Sequence, residues 1–460
     1  MISVVKLVLK NLEIKYYSTN HKAPEVSFKD ALMKGLAPDG GLYMPTYIPV
    51  MKKSELKSYS HLEYPGVAFQ VLKHFLSNEI SDDDLKSICY DAYNFAVPIE
   101  RVYNRSYILR LDQGPTASFK DFAARVMARL MHYFSSQDKR KFTILTATSG
   151  DTGSAVASAF HKLHNINVVI LYPAGEVSET QRKQMTTLHD NVRIISLNGK
   201  FDDCQRMVKM AFRDESLSDI PLTSANSINI GRLLPQAVYY LYTWSKLAGK
   251  TDEKAIFSVP SGNFGNLMGG IIAREMGLPV RKFIISTNAN NEVPEFLETG
   301  IYKTISPSIN CISSAMNVGH PGNLARIIAL YGGIMNEEGT MIRNPDLKKM
   351  RDDFFSISVS DDETRSTIAT CYKNHGVILE PHGAVAWKGV ETYKKLFAKN
   401  SMQLFISLET AHPAKFGDEL PGLSVPVPES LKGLKQMKEE FTEMDNNYDE
   451  LRSYIRMLHS

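Results

Sequence analysis

Phe142-Thr143-Ile144-Leu145-Thr146-Ala147 runs directly into Thr148-Ser149-Gly150-Asp151-Thr152-Gly153-Ser154. The first six residues are apolar or β-branched, the mark of a short strand buried on both faces. The next seven form a hydroxyl-rich glycine turn, and small residues over 154–163 predict a helix packed close to its neighbours. This order of strand, glycine loop and helix recurs along the chain. Strands are expected at 107–111, 167–172, 192–197, 254–259, 282–286 and 403–408. Helices are expected at 178–188, 202–212 and 267–276, and one starts near Lys120. Such alternation predicts an α/β fold of open, parallel-rich sheets covered by helices.

The flanks read differently. Residues 1–95 are mixed and mostly helical, with helices expected at 27–36, 64–76 and from the Ser81-Asp82-Asp83-Asp84 cap to about residue 96. Residues 420–428 are Pro-rich and read as a linker. Residues 431–460 read as an amphipathic helical tail.

The 460 residues carry 53 basic and 50 acidic side chains, a formal charge of +3. That balance points to neither nucleic acid nor an anionic membrane as partner. Cys89, Cys204, Cys311 and Cys371 are widely spaced, with no metal-ligand pattern, so neither a metal site nor a disulfide framework is expected. The apolar start at residues 1–10 is interrupted by Lys6, which argues against a secretory signal. The chain reads as soluble and cytoplasmic.

Three features carry chemistry. Thr148 to Ser154 and Ser261-Gly262-Asn263-Phe264-Gly265-Asn266 are glycine loops between a strand and a helix start. There, free N–H groups and the positive end of a helix dipole suit an anion. Neither loop matches a triphosphate-binding or dinucleotide-binding pattern. Lys120 lies in Gly114-Pro115-Thr116-Ala117-Ser118-Phe119-Lys120-Asp121-Phe122, between two aromatic residues, and apolar walls would lower its amine pKa and make it nucleophilic. Thr410, in Glu409-Thr410-Ala411-His412-Pro413-Ala414-Lys415-Phe416, closes the 403–408 strand at the edge where open α/β sheets bind ligands.

Together these segments resemble the threonine synthases, fold-type II enzymes that use pyridoxal 5′-phosphate (PLP) on a tryptophan synthase β-like scaffold. The resemblance also rests on Tyr16-Tyr17-Ser18-Thr19-Asn20, Asp39-Gly40-Gly41-Leu42-Tyr43-Met44-Pro45, Asn226-Ser227-Ile228-Asn229-Ile230-Gly231-Arg232 and Ser314-Ala315-Met316. It implies a catalytic region over 96–430 in two lobes, with about 135–215 as the smaller. It implies that Lys120, beside Phe119, holds the cofactor covalently and then acts as the base. Ser261, Gly262, Asn263, Phe264, Gly265 and Asn266 would cradle the cofactor phosphate, and Thr410 would bond the ring nitrogen. Thr148, Ser149, Gly150, Asp151 and Thr152 would bind the substrate α-carboxylate. Arg232 and Lys415, helped by Asn229, Ser224 and Asn226, would receive the side-chain phosphate. His382 would touch substrate or brace the site.

The implied substrate is O-phospho-L-homoserine, with water as second reactant and L-threonine and phosphate as products. Monomer and homodimer both remain open. Two other readings compete: a PLP-dependent phospholyase or dehydratase yielding 2-oxobutyrate, and a non-catalytic phospholigand-binding protein. One departure stands out, Asn317, where the family commonly has aspartate. The first 14 or so residues precede the usual family start and carry no assigned function.

Overall fold

The computed structural model describes residues 13–398, 402–420 and 422–459. The chain starts with β1 (Tyr16–Ser18), α1 (Phe28–Lys34), β2 (Tyr43–Pro45), α2 (Lys53–Ser58), α3 (Tyr64–Leu76) and α4 (Asp82–Ala92). β1 and β2 pair antiparallel. Ser81 caps α4 by accepting from Asp84 N, and three aspartates in its first turn complement the helix dipole. Residues 1–12, most of the 14 or so that precede the usual family start, lie outside the described residues.

The chain continues through β3 (Ile99–Tyr103), β4 (Ser106–Arg110) and α5 (Lys120–Asp138). The stretch that opened the sequence reading forms β5 (Phe142–Ala147) and α6 (Asp151–Phe160). β6 (Ile166–Pro173), α7 (Glu179–Thr186), β7 (Val192–Asn198), α8 (Phe201–Arg213) and β8 (Leu222–Thr223) follow. Next come α9 (Ile230–Leu233), α10 (Gln236–Leu247), β9 (Ala255–Pro260), α11 (Gly265–Glu275), β10 (Val280–Thr287), α12 (Glu292–Thr299) and α13 (Leu324–Leu330). A small antiparallel pair, β11 (Ile334–Met335) and β12 (Met341–Arg343), precedes α14 (Leu347–Asp353), β13 (Phe354–Ser358) and α15 (Asp361–His375). The remainder is α16 (Pro381–Phe397), β14 (Leu404–Glu409), β15 (Thr442–Asp445) and α17 (Tyr448–Met457).

Two sheets organise these elements. The larger has the order β13-β10-β9-β14-β4-β3 and is parallel except for the antiparallel edge pair β3–β4. The smaller, β15-β7-β6-β5-β8, is parallel throughout. β5, β9 and β14 are buried along their whole length, as parallel strands covered on both faces must be. This is the fold expected from the strand–loop–helix alternation.

The C-terminal tail differs from its expected form. Residues 442–445 form β15, which extends the smaller sheet parallel to β7; among the described tail residues α-helix is confined to 448–457, with short 3-10 turns at 429–431 and 434–436. Met444, Leu451 and Ile455 are buried in one core with Leu145, Val169 and Ile195. The misreading has a simple cause: β15 is an edge strand that buries only Met444. Four residues with one buried position show no period that separates strand from surface helix. Among the described residues no helix is long and apolar enough to cross a membrane.

Candidate active site

The site is assembled where strand ends meet helix starts. The loop before α5 is laced to the end of β14: Phe119 N donates to Thr410 O at 2.8 Å, and His412 N donates to Ala117 O at 3.0 Å. Asp121, buried in the first turn of α5, accepts from Thr116 N at 2.8 Å and Thr116 Oγ1 at 2.7 Å. Gly114 is needed there, because a Cβ would sit 2.4 Å from Asp121 Oδ2. These bonds bring Lys120 and Thr410 to the same cleft. Of the two flanking aromatics, only Phe119 lies against the amine, its ring centroid 5.4 Å from Lys120 Nζ. Phe122 points the other way, packing edge-on against Tyr64, Phe95 and Tyr239.

Burial lowers the Lys120 pKa; Asp151 opposes this, while Lys415 and Arg232 add to it. A cation held among other cations gives up its proton more readily, which is what a nucleophilic amine requires.

The loop between β5 and α6 is organised by Thr148, whose Oγ1 accepts from Gly150 N at 2.9 Å and Gly153 N at 2.8 Å. Gly150 has φ 131°, outside the range of residues bearing a Cβ. The other N–H groups of the first turn of α6 have no intrahelical acceptor. The loop between β9 and α11 has a second anion-type geometry. Phe264 sits in the left-handed region at φ 58°, ψ 6°, a strained backbone of the kind kept at functional sites. Asn266, two residues into the helix cluster, accepts through Oδ1 from Tyr239 at 2.7 Å and Tyr240 at 2.8 Å. Its Nδ2 is left buried and without a partner among the described residues. A buried donor of this kind costs free energy unless something fills it. An anion in the loop would do so, and a PLP phosphate therefore fits these residues.

Both loops open on one cleft of about 1160 Å³. Of the expected site residues, Phe119, Lys120, Thr148, Ser149, Thr152, Ser224, Asn226, Arg232, Gly262, Asn263, Phe264, Gly265, Asn266, His382 and Thr410 line it. Gly150, Asp151, Asn229, Ser261 and Lys415 sit behind its wall. Lys415 is fully buried, with Nζ 2.5 Å from Asp151 Oδ1 and 3.1 Å from Thr116 O. It was expected to reach a substrate phosphate; its charge is spent on the Asp151 carboxylate instead. Asp151 is held well below the usual carboxylate range, chiefly by Lys415 and Lys120 acting against burial. Asn229 caps α9 by accepting from Gly231 N, and its amide donates to Leu32 O and Ser224 O. Ser261 Oγ donates back to Val259 O.

Arg232 is buried on the cleft wall. Nη1 donates to Ala225 O at 2.7 Å, and Nε has no partner among the described residues. Burial pushes its pKa down to about 10. His382 accepts at Nε2 from Ala315 N (3.0 Å), with Nδ1 2.5 Å from Glu380 Oε2. That places its proton on Nδ1. Glu380 also accepts from Thr410 Oγ1 at 3.3 Å. Asn317, also on the cleft, accepts at Oδ1 from Asn288 Nδ2 and Cys311 N and donates from Nδ2 to Cys311 O. An aspartate cannot make the last bond, so the amide serves here as a two-way clamp.

Sequence reasoning assigned no role to several cleft residues. Asp39 accepts from Ser18 Oγ and from the N–H groups of Lys22, Ala23 and Gly41, holding Asn20 and Gly40 at the rim. Their signal was the conspicuous Asp39-Gly40-Gly41 run. Phe201, Gln205 and Lys209 reach the cleft from α8, on a helix that reads as ordinary surface.

Comparison with known proteins agrees with this geometry. Residues 15–93 match the family described as "Threonine synthase N terminus", 97–407 "Pyridoxal-phosphate dependent enzyme" and 384–455 "Threonine synthase, C-terminal". A threonine synthase of Haemophilus influenzae is 40% identical over 447 residues, covering 95% of this chain and 99% of that protein. The crystal structure of PLP-bound threonine synthase from Brucella melitensis superposes with a TM-score of 0.89 at 35% identity, covering 96% of this chain and 99% of that one. Threonine synthase from yeast superposes with a TM-score of 0.87 at 31% identity, covering 96% and 98%.

Proposed function

The chain belongs to the threonine synthase family of PLP-dependent enzymes, and on that premise we propose that it converts O-phospho-L-homoserine and water into L-threonine and phosphate. The observation that carries the proposal is one cleft lined by Lys120, by two anion-type loops and by a buried arginine with an unused N–H.

Bound PLP supplies an electron sink for charge developing at the substrate α- and β-carbons. In this reading the protein's residues do the rest. Gly262 to Asn266 hold the cofactor phosphate, with Asn266 Nδ2 as the preset donor. Lys120 would hold the cofactor through its amine and would be free as a base once substrate is bound. Its depressed pKa then lets it take the α-proton and pass protons between neighbouring carbons. Thr148, Ser149 and Thr152 receive the α-carboxylate through hydroxyls and the first turn of α6. Arg232 receives the side-chain phosphate; a guanidinium matches phosphate geometry and stays charged as the group leaves. Thr410 would offer the ring nitrogen a neutral hydroxyl. Asp151 and Lys415 act from behind the wall, setting the field at Lys120. The balanced charge and composition support a cytoplasmic enzyme acting on a small molecule.

Incubation with O-phospho-L-homoserine tests the reading. Threonine and phosphate in equal amounts support it. Phosphate with 2-oxobutyrate alone favours the phospholyase, and no turnover with no PLP binding favours the non-catalytic binder.

A further inference from the structure

Arg326, on α13, is fully buried and has no carboxylate bonded to it among the described residues. Its guanidinium donates only to neutral oxygens. Nε and Nη2 reach Tyr43 O at 3.2 and 3.0 Å, and Nη2 reaches Ile228 O at 2.6 Å. Nη1 reaches Asn323 Oδ1 at 2.7 Å and Ser227 O at 3.3 Å. Burying an unpaired charge is expensive, and polar partners only partly offset the cost. Burial pushes the Arg326 pKa down to about 9.

What Arg326 holds leads back to the β9–α11 loop. Ser227 Oγ accepts from Asn263 Nδ2 at 2.6 Å, and Asn323 Nδ2 donates to Asn263 O at 3.0 Å. Gly322 N, one residue before Asn323, donates to Asn263 Oδ1 at 2.5 Å. A Cβ on Gly265 would lie 3.3 Å from Asn323 Nδ2 and 3.4 Å from Ser227 Cβ. Both residues oriented by Arg326 therefore touch the loop directly. No lysine or arginine belongs to the loop itself, Ser261 to Asn266.

We propose that Arg326 is a positioning residue for the cofactor phosphate: it fixes Ser227 and Asn323 around Asn263 and sets a buried positive charge behind a loop that must receive a dianion. This rests on the reading of that loop as the PLP phosphate site. A purely structural staple, joining Tyr43 to the 227–228 segment, would matter equally for cofactor with and without phosphate.

The experiment uses the full chain with Arg326→Lys and Arg326→Gln, measuring the dissociation constants of PLP and of pyridoxal, which lacks the phosphate. The proposal expects PLP binding to weaken by about tenfold or more in both variants, more in the glutamine, with pyridoxal binding altered by less than about twofold. Equal losses for both compounds, or no loss for PLP, overturn it. If the glutamine variant does not fold, the lysine variant decides by the same ratio. If wild-type protein binds PLP no more tightly than pyridoxal, the underlying reading of the loop fails instead.

Discussion

Lys120 Nζ lies 3.9 Å from Asp151 Oδ2, while the other oxygen of that carboxylate is held by Lys415 at 2.5 Å. One buried carboxylate thus faces two lysines, and it is closer to Lys415 than to Lys120. The arrangement keeps Asp151 ionised and leaves Lys120 only partly compensated, so burial and neighbouring cations prevail and its pKa falls.

Asp151→Asn removes the one nearby group that raises the Lys120 pKa most. The Lys120 amine then loses its proton at still lower pH. A base active in its unprotonated form gives an acid limb in kcat, and that limb moves to lower pH in the variant. The pH profile of kcat checks this; an unmoved limb removes Asp151 from any role at Lys120.

Lys415→Met deletes one partner of a buried pair and leaves Asp151 with a distant counter-ion. Breaking such a pair costs about 3–5 kcal/mol. Denaturant unfolding should show this loss, and the Asp151→Asn/Lys415→Met double variant should lose less than the sum of the two singles. Additive losses would mean that the pair is not coupled.

Much of this architecture was legible because it is written locally. The 142–147 strand and the 64–76 helix match their expected bounds, since an apolar run ending in a polar turn, or an amphipathic period behind a proline, needs no distant information. The helix expected from residue 154 starts at Asp151 instead. Gly153 reads as loop, yet it lies inside the helix, where glycine is required because a Cβ would meet Thr148 Cγ2 at 2.5 Å and Met185 Sδ at 2.4 Å. The two glycine loops at strand–helix junctions were visible for the same local reason. Their supports were not: Arg326 reaches Tyr43 across 283 residues of sequence, and Tyr239 and Tyr240 orient Asn266 from a helix with no motif of its own. The Lys415 partner was equally hidden, because Asp151 lies 264 residues earlier.

Glu292 tests the electrostatics away from the site. It is buried at the start of α12, with Oε2 unpartnered among the described residues, and burial raises its pKa to about 7 from 4.5. The unfolded chain therefore releases this proton at lower pH than the folded one. Its stability contribution is complete below about pH 4.5 and is lost as pH rises through about 7. Glu292→Gln should gain on the order of 3 kcal/mol over wild type at pH 8 and nothing at pH 4. Thermal unfolding at the two pH values checks this, and an equal difference at both would contradict it.

Gly262→Ala should loosen the cofactor. A Cβ at this position would lie 2.7 Å from Met316 Cα and 3.1 Å from Ala315 O, so the loop must shift. PLP affinity should fall roughly tenfold or more, about 1.4 kcal/mol. Gly417→Ala, where a Cβ meets nothing within 4 Å, should leave it unchanged. Equal affinities in the two variants would show that the loop does not need its present backbone.

Lys120 is the residue proposed to hold the cofactor. Borohydride reduction of the PLP-loaded protein, followed by peptide mapping, tests this assignment most directly. The account predicts a single cofactor-derived mass on the peptide containing Lys120, absent from Lys120→Ala. Attachment to Lys415, or to no lysine at all, would contradict it.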